Sequence, residues 1–337
     1  MSVGLATTTD EDMLRECLER LVPAILDKPT AITGIQRKPS DYSSSYHSDI
    51  ITVQLDTGEK LKLFLKNFGF TRFPKDGAKQ RRDRERGVYQ DLLAGTDLGA
   101  AEYYGSVWDE SQGTFWLLLE FVNGTEVRFC ELEYWIAAAG WLGQLQGYFA
   151  RHSDHLSACD FLIRHDADFF RSRAELALRE ISQISVPLAD RLASILDRYD
   201  WIVDVMASQP RTLAHGHFRP CNIVADVNVE PVRICPVDWE QAAIGSALYD
   251  LTLISDGFEP PALDQLLEAY RHEAMKHGAA VPDREELRRV VACFRFFMAI
   301  NLLSRARQRD FSEHKVTKIV DRLEKLHHRV IDGKANA

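Results

Sequence analysis

The sequence predicts an α+β chain in two lobes, the first β-rich and the second larger and mostly helical. Short runs with period-two alternation and hairpin turns crowd residues 31–121, and helical periodicity dominates from Glu131 onward. The change falls at Phe121-Val122-Asn123-Gly124, so the expected division is residues 1–122 and 123–335. Unequal lobes leave a cleft, a natural place for a ligand.

Residues 10–22 read as an amphipathic helix, with Leu14, Leu18, Leu21 and Val22 on one side and acids in its first turn; Pro23 and Pro29 limit it. Strands are expected at 31–37, 50–55 and 61–68, the last two joined by the turn Asp56-Thr57-Gly58-Glu59. A loop rich in Gly, Pro and Lys leads to a helix over 79–93 that stops before Gly95. Two further strands, 101–108 and 114–121, flank the polar turn 109–113. The helical remainder, including 285–306, is interrupted by a short β-rich stretch over 211–238. Internal repeats are absent, and the Lys-Ala-Asn-Ala end is expected to fray.

Composition excludes several classes. Of 337 residues, 45% are apolar and 27% charged, an ordinary globular balance. No run approaches twenty apolar residues and the N-terminus lacks a basic start with an apolar core, so no membrane partner and a cytoplasmic location are expected. Cys17, Cys130, Cys159, Cys221, Cys235 and Cys293 form no C-x-x-C pair, which fits reduced core thiols and argues against zinc. A net charge of −9 argues against nucleic acid and is compatible with a cationic substrate. The cluster Lys79, Arg81, Arg82, Arg84 and Arg86 is interleaved with Asp83 and Glu85, as on a solvated helix face. Oligomeric state is not readable.

Residues 213–251 carry most of the chemistry. They read L-A-H-G-H-F-R-P-C-N-I-V, then a short apolar strand, then C-P-V-D-W-E and G-S-A-L-Y-D-L. Asn222 and Asp238, at the ends of short adjacent strands, offer an amide and a carboxylate oxygen to a magnesium ion, which takes one or two protein oxygens and completes its shell with phosphate and water. Asp250 is suited to buttress the loop by accepting backbone N–H bonds, or to cap a helix. His215 and His217, two apart on an extended segment, could instead join Asp238 in a two-His, one-carboxylate metal site. Far upstream, alternation places Lys66 on the face of its strand opposite Leu61, Leu63 and Leu65. Alone, it reads as an edge lysine facing water or as a grip for phosphates. Glu85 shares the helix stripe of Val88, Tyr89, Leu92 and Leu93, where a carboxylate needs a partner, and Lys66 is an economical one. Asp160, Asp166, Asp168 and Glu259 could bind a cation or simply be solvated.

Together these pieces resemble the aminoglycoside phosphotransferase and choline kinase-like family, the small-molecule branch of the protein-kinase fold. The family's H-G-D-x-x-x-x-N loop is similar to His215-Gly216-His217-Phe218-Arg219-Pro220-Cys221-Asn222, its I-D-W-E strand to Val237-Asp238-Trp239-Glu240, and its G-x-x-x-Y-D-L tail to 245–251. The resemblance runs from about residue 30 to 305. It implies a bilobed protein-kinase-like fold and ATP or GTP held by the ion pair of Lys66 with Glu85. It implies magnesium on Asn222 and Asp238, and a hydroxylated small-molecule substrate near residue 217. Glu120 and Val122, closing a strand before Gly124, would meet the adenine with backbone groups. Family substrates include aminoglycosides and other antibiotics, which would make this a resistance enzyme, and also choline, sugars and amino-acid derivatives.

Two departures stand out. No G-x-G-x-x-G exists; Ser43, Ser44 and Ser45 lie where the phosphate-covering loop belongs, and hydroxyls with backbone amides would do that work. The catalytic Asp is replaced by His217. General-base catalysis contributes about 10²- to 10⁴-fold, and a neutral imidazole near magnesium and Lys66 still accepts a proton. His217 is therefore read as a base or substrate-orienting group in a divergent phosphotransferase. The alternatives are a pseudokinase that binds nucleotide or ligand without turnover, altered chemistry such as nucleotidyl transfer, and an engineered Asp→His change.

Overall fold

Asp10, Glu11 and Asp12 put negative charge on the N-terminal turn of α1 (Asp10–Leu26), where the helix dipole favours it. In the computed structural model, which describes residues 10–41, 45–71 and 75–331, this helix runs past the expected stop at Pro23. Pro23 removes the N–H that would reach the Glu19 carbonyl and its ring crowds that oxygen, but it stands in the last turn, where only three helical residues follow. The chain then closes with the Lys28 amide on the Pro23 carbonyl at 3.2 Å.

The chain divides into two units, Met1–Asn123 and Gly124–Ala337. In the first, β1 (Ile32–Pro39), β2 (Tyr46–Leu55), β3 (Lys60–Thr71), β4 (Tyr103–Asp109) and β5 (Thr114–Glu120) form an antiparallel sheet in the order β1-β2-β3-β5-β4. Alternation decides the faces. Ile51, Val53, Leu63, Leu65, Trp116 and Leu118 point one way and pack under Leu14, Cys17, Leu18 and Val22 of α1. Burying each such side chain is worth about 1.5–3 kcal/mol. The hairpin at 56–59 closes as expected, with Gly58 at φ +83° and its amide on the Leu55 carbonyl at 3.0 Å. Strands β1 and β2 extend well beyond 37 and back before 50, because pairing holds residues that the apolar pattern does not mark.

The expected helix over 79–93 is two pieces. α2 (Ala78–Gly87) passes into a π-helical turn over Val88–Leu93. The wider turn narrows the arc occupied by Val88, Tyr89, Leu92 and Leu93, all of which are buried.

The second unit is mostly helical. Its helices are α3 (Leu132–Arg151), α4 (Ser153–Ala158), α5 (Ala167–Ser182), α6 (Val186–Leu196), α7 (Tyr199–Ala207), α8 (Ala247–Ile254), α9 (Ala262–Lys276), α10 (Arg284–Leu303) and α11 (Glu313–Ile331). Short strands β6 (Thr125–Glu126), β7 (Ile163–Arg164), β8 (Thr212–Ala214), β9 (Ile223–Asp226), β10 (Arg233–Pro236) and β11 (Ala243–Gly245) form two small sheets, β10-β9-β6 and β7-β11-β8. The β-rich interruption is thus wider than 211–238, since β7 pairs in parallel with β11 from far along the chain. α3 and α9 approach closely at Gly143, where an added Cβ would overlap the Tyr270 carbonyl oxygen and lie 2.6 Å from the Ala274 nitrogen. The architecture is the expected one, a β-rich region followed by a mostly helical one. All six cysteines are free. Among the described residues no helix is long and apolar enough to cross a membrane.

Candidate functional site

Lys66 lies on β3, flanked by Ser48 of β2 and Leu117 of β5, so it occupies a central strand and not an edge. It is 8% exposed and Glu85 is 1% exposed. Its Nζ donates to Glu85 Oε1 at 2.9 Å and Oε2 at 2.8 Å. The rings of Tyr46 and Phe68 lie 5.5 and 5.3 Å from the ammonium, so the cation meets a carboxylate and two aromatic faces. Glu85, a carboxylate on the apolar stripe, thus has in Lys66 the partner that its place in the sequence calls for.

Ser45 is a half-buried residue just before β2; Ser43 and Ser44 lie outside the described residues. Glu120 is the last residue of β5, and its carboxylate accepts from the Glu102 amide at 3.2 Å. Val122 lies beyond the sheet, half-buried.

The loop 215–222 is held by groups that the sequence only partly foretells. Asp250, on α8 and fully buried, accepts the amides of His215 at 2.6 Å and Gly216 at 3.0 Å, and that of Phe218 as well. Burial pushes its carboxyl up to about 7, against the pull of those three bonds. Gly216 sits at φ +75°, and an added Cβ would overlap the Gln241 carbonyl oxygen. His215 is also fully buried, with its ring 4.4 Å from that of Trp239. Its Nδ1 accepts the His217 amide at 3.3 Å, so Nε2 carries the proton and donates to the Val237 carbonyl at 2.9 Å. With both nitrogens engaged, His215 offers nothing to a metal. Among the described residues no three His, Cys, Asp or Glu are arranged to hold one.

The same accounting fixes Asn222 and His217. One nitrogen of Asn222 lies 3.0 Å from the His217 carbonyl oxygen and 3.1 Å from His217 Nδ1. A carbonyl oxygen only accepts, so the nearby atom is the amide Nδ2, and its two hydrogens serve the two acceptors. Asn222 Oδ1 then faces away, with the Cys221 thiol donating to it at 3.7 Å. His217 Nδ1 is an acceptor, and Nε2 bears the proton of the neutral ring. Burial lowers the His217 pKa, and Arg219 and Arg305 push the same way against Asp238 and Glu240. The direction is the one expected from the sequence, with desolvation as its first cause.

Asp238 follows β10 and adopts a left-handed conformation, φ +70° and ψ +59°, uncommon for a residue with a side chain. The Val237 amide donates to the Asn222 carbonyl at 2.9 Å, which draws the Asp238 turn and the loop together.

The four acids considered for a cation do not gather. Asp166 caps α5, accepting from the Phe169 amide at 2.9 Å; Asp160, Asp168 and Glu259 are exposed. Two features escaped the sequence. His165 is buried among aromatic rings, 4.5 Å from Phe169 and 4.5 Å from Tyr249, and burial drives its pKa down to about 3. Burial and Asp250 raise the Tyr249 hydroxyl pKa, and Arg305, Arg173 and Arg219 oppose them. Only Arg219, inside the loop motif, carried a visible signal.

The family model of the phosphotransferase enzyme family matches residues 46–289. Among solved structures, the GDP complex of an aminoglycoside 2'-phosphotransferase-IIIa variant is similar at 15% identity with a TM-score of 0.60, covering 96% of this chain and 100% of that one. A macrolide 2'-phosphotransferase from Brachybacterium faecium is similar at 15% identity and TM-score 0.58, covering 93% and 98%. A choline kinase from Cryptosporidium parvum is similar at 11% identity and TM-score 0.59, covering 96% and 97%. These likenesses show a shared fold. Comparison of the sequence with curated proteins finds no match. With the 215–222 loop, the segment 237–240 and the Asp250 buttress all inside a match that spans more than half its length, the chain belongs to the phosphotransferase enzyme family.

Proposed function

We propose that the chain is a nucleotide-dependent phosphotransferase acting on a hydroxyl of a small molecule, with ATP or GTP as donor. The buried pair of Lys66 and Glu85 carries the reading. A cation withdrawn from water on a central strand and held by both oxygens of one carboxylate has a fixed Nζ, which is what gripping a phosphate requires. Ser43, Ser44 and Ser45 would cover the phosphates, and backbone groups of Glu120 and Val122 would meet the base.

The donor set fits magnesium. Asn222 Oδ1 and the Asp238 carboxylate are hard oxygens of the kind magnesium takes, and they would hold the ion together with phosphate and water. Such an ion would neutralise charge on the transferred phosphoryl group. Asn222 does a second job, since its Nδ2 fixes the orientation of the His217 ring.

That contact sets what His217 does. With Nδ1 occupied, Nε2–H is left to donate to a substrate or phosphoryl oxygen, which makes the ring an orienting group and not a base. In transfer, the bond from the γ-phosphorus to its bridging oxygen breaks as the bond to the substrate hydroxyl oxygen forms. The hydroxyl proton leaves late, to solvent, as a loose transition state permits. Lack of a base lowers the rate by about 10²- to 10⁴-fold. The same tautomer favours a second reading, a nucleotide-binding module without turnover.

Calorimetry with MgATP and MgGTP tests the first step, and no binding at millimolar nucleotide ends the proposal. Wild type, His217→Asp and His217→Gln are then assayed on a panel of hydroxylated small molecules. The donor role expects Gln to retain activity and Asp to raise it. An inert wild type beside an active Asp variant assigns the binding module.

A further inference from the structure

The second unit contains a pocket beside the loop, and its charge is the reverse of what a cationic substrate needs. It is lined by Arg219, Asp256, Arg295 and Arg322, with Met298 and Leu302 among its apolar wall, and has a volume of about 80 Å³. That is small against the several hundred cubic ångströms of a drug-sized ligand site, and suits one functional group. Three arginines and one aspartate are among the residues that line it.

The three are not equivalent. Arg322 is paired with Asp256 at 3.0 Å. Arg295 donates to the Ser255 carbonyl at 3.0 Å and lies 3.4 Å from that of Phe258, at the C-terminal end of α8. Arg219 is exposed and makes no ion pair among the described residues. Its charge reaches His217, two residues away, and Tyr249, where Arg305 and Arg173 add to it. On a chain whose net charge is −9, so local an excess of arginine is a departure from the surface as a whole.

We infer that this pocket holds an anionic group of the acceptor molecule, so that the substrate is a hydroxylated compound bearing a carboxylate or phosphate ester on a short apolar frame. Arg219 binds the anion, Arg322 and Arg295 supply the surrounding field, and Met298 and Leu302 flank the carbon frame. The inference rests on the phosphotransferase reading for the word substrate, while the pocket's binding of an anion does not. Cationic aminoglycosides and choline are disfavoured by this charge.

The test uses the full chain and four probes, with binding measured by calorimetry. They are 2-hydroxy-4-methylpentanoate, glycerol 3-phosphate, the neutral 4-methylpentane-1,2-diol and the cationic leucinol. At least one anion is expected to bind about tenfold more tightly than the diol or leucinol, the factor one charge-assisted hydrogen bond supplies. Which anion wins distinguishes a carboxylate from a phosphate ester. Arg219→Gln is expected to lose that factor, and Arg219→Lys to recover part of it. Equal affinity for leucinol, or anion affinity untouched by Arg219→Gln, overturns the inference. MgATP binding with turnover of leucinol alone overturns it and leaves the phosphotransferase standing. Arg219-dependent anion binding without nucleotide binding supports the pocket and removes the phosphotransferase.

Discussion

Replacing Glu85 by Ala isolates the ion pair. At 2.8 Å, two unit charges attract by roughly 6 kcal/mol at an effective dielectric constant of about 20. Desolvating both groups offsets most of that gain. Truncating one partner does not restore the balance, because Lys66 stays buried with its charge. Breaking such a pair costs about 3–5 kcal/mol. The rings of Tyr46 and Phe68 retain some hold on the ammonium, so the lower end, about 3 kcal/mol, is expected. Hydrogen exchange by mass spectrometry on β3 peptides reads this locally. Protection should fall by roughly two orders of magnitude if these amides exchange through opening of the sheet. Lys66→Met with Glu85→Leu should recover most of the stability, since an apolar pair removes the stranded charge, while nucleotide affinity stays lost. A Glu85→Ala loss below about 1 kcal/mol, or a double variant no better than the single, would show that no stranded charge is created at Lys66.

Three further outcomes are expected. The folded-state pKa of His165 lies far below its ordinary 6.5, at about 3, so its contribution is complete above 6.5 and is lost as pH falls toward 3. Between about pH 7 and pH 5 the loss reaches roughly 2 kcal/mol, and His165→Phe should flatten that limb in urea titrations at each pH. Gly143→Ala places a methyl against the Tyr270 carbonyl and should destabilise by about 1–3 kcal/mol despite better helix propensity, measured as a lower melting temperature. Because burial lowers the His217 pKa and Asn222 occupies its Nδ1, kcat/KM should show no inflection near pH 6.5 in wild type that His217→Gln removes; such an inflection would assign His217 as a base.

What the sequence made legible follows from how local each signal is. The Lys66 and Glu85 pairing was readable because alternation and helical period each oriented one side chain, and burial chemistry asked for the other. Asp250 as a buttress was readable from its place in the loop's tail, and its backbone bonds meet that expectation. The His217 tautomer was not readable, since it depends on which Asn222 atom faces a carbonyl oxygen that only the folded loop brings near. Nor was the arginine pocket, which gathers residues from the loop, α10 and α11. Helix α1 outran Pro23 because a proline rule forbids one hydrogen bond and not a turn.

The loop around residue 217 takes its shape from Asp250, His215 and Gly216, none of which is residue 217 itself. Position 217 is therefore a side-chain choice mounted on a backbone built by others. A library of polar residues of similar size there should return folded proteins sorted mainly by chemistry. A saturation library at 216 should return few besides glycine. One codon in such a loop can thus exchange a proton acceptor for a donor without the fold having to be reinvented.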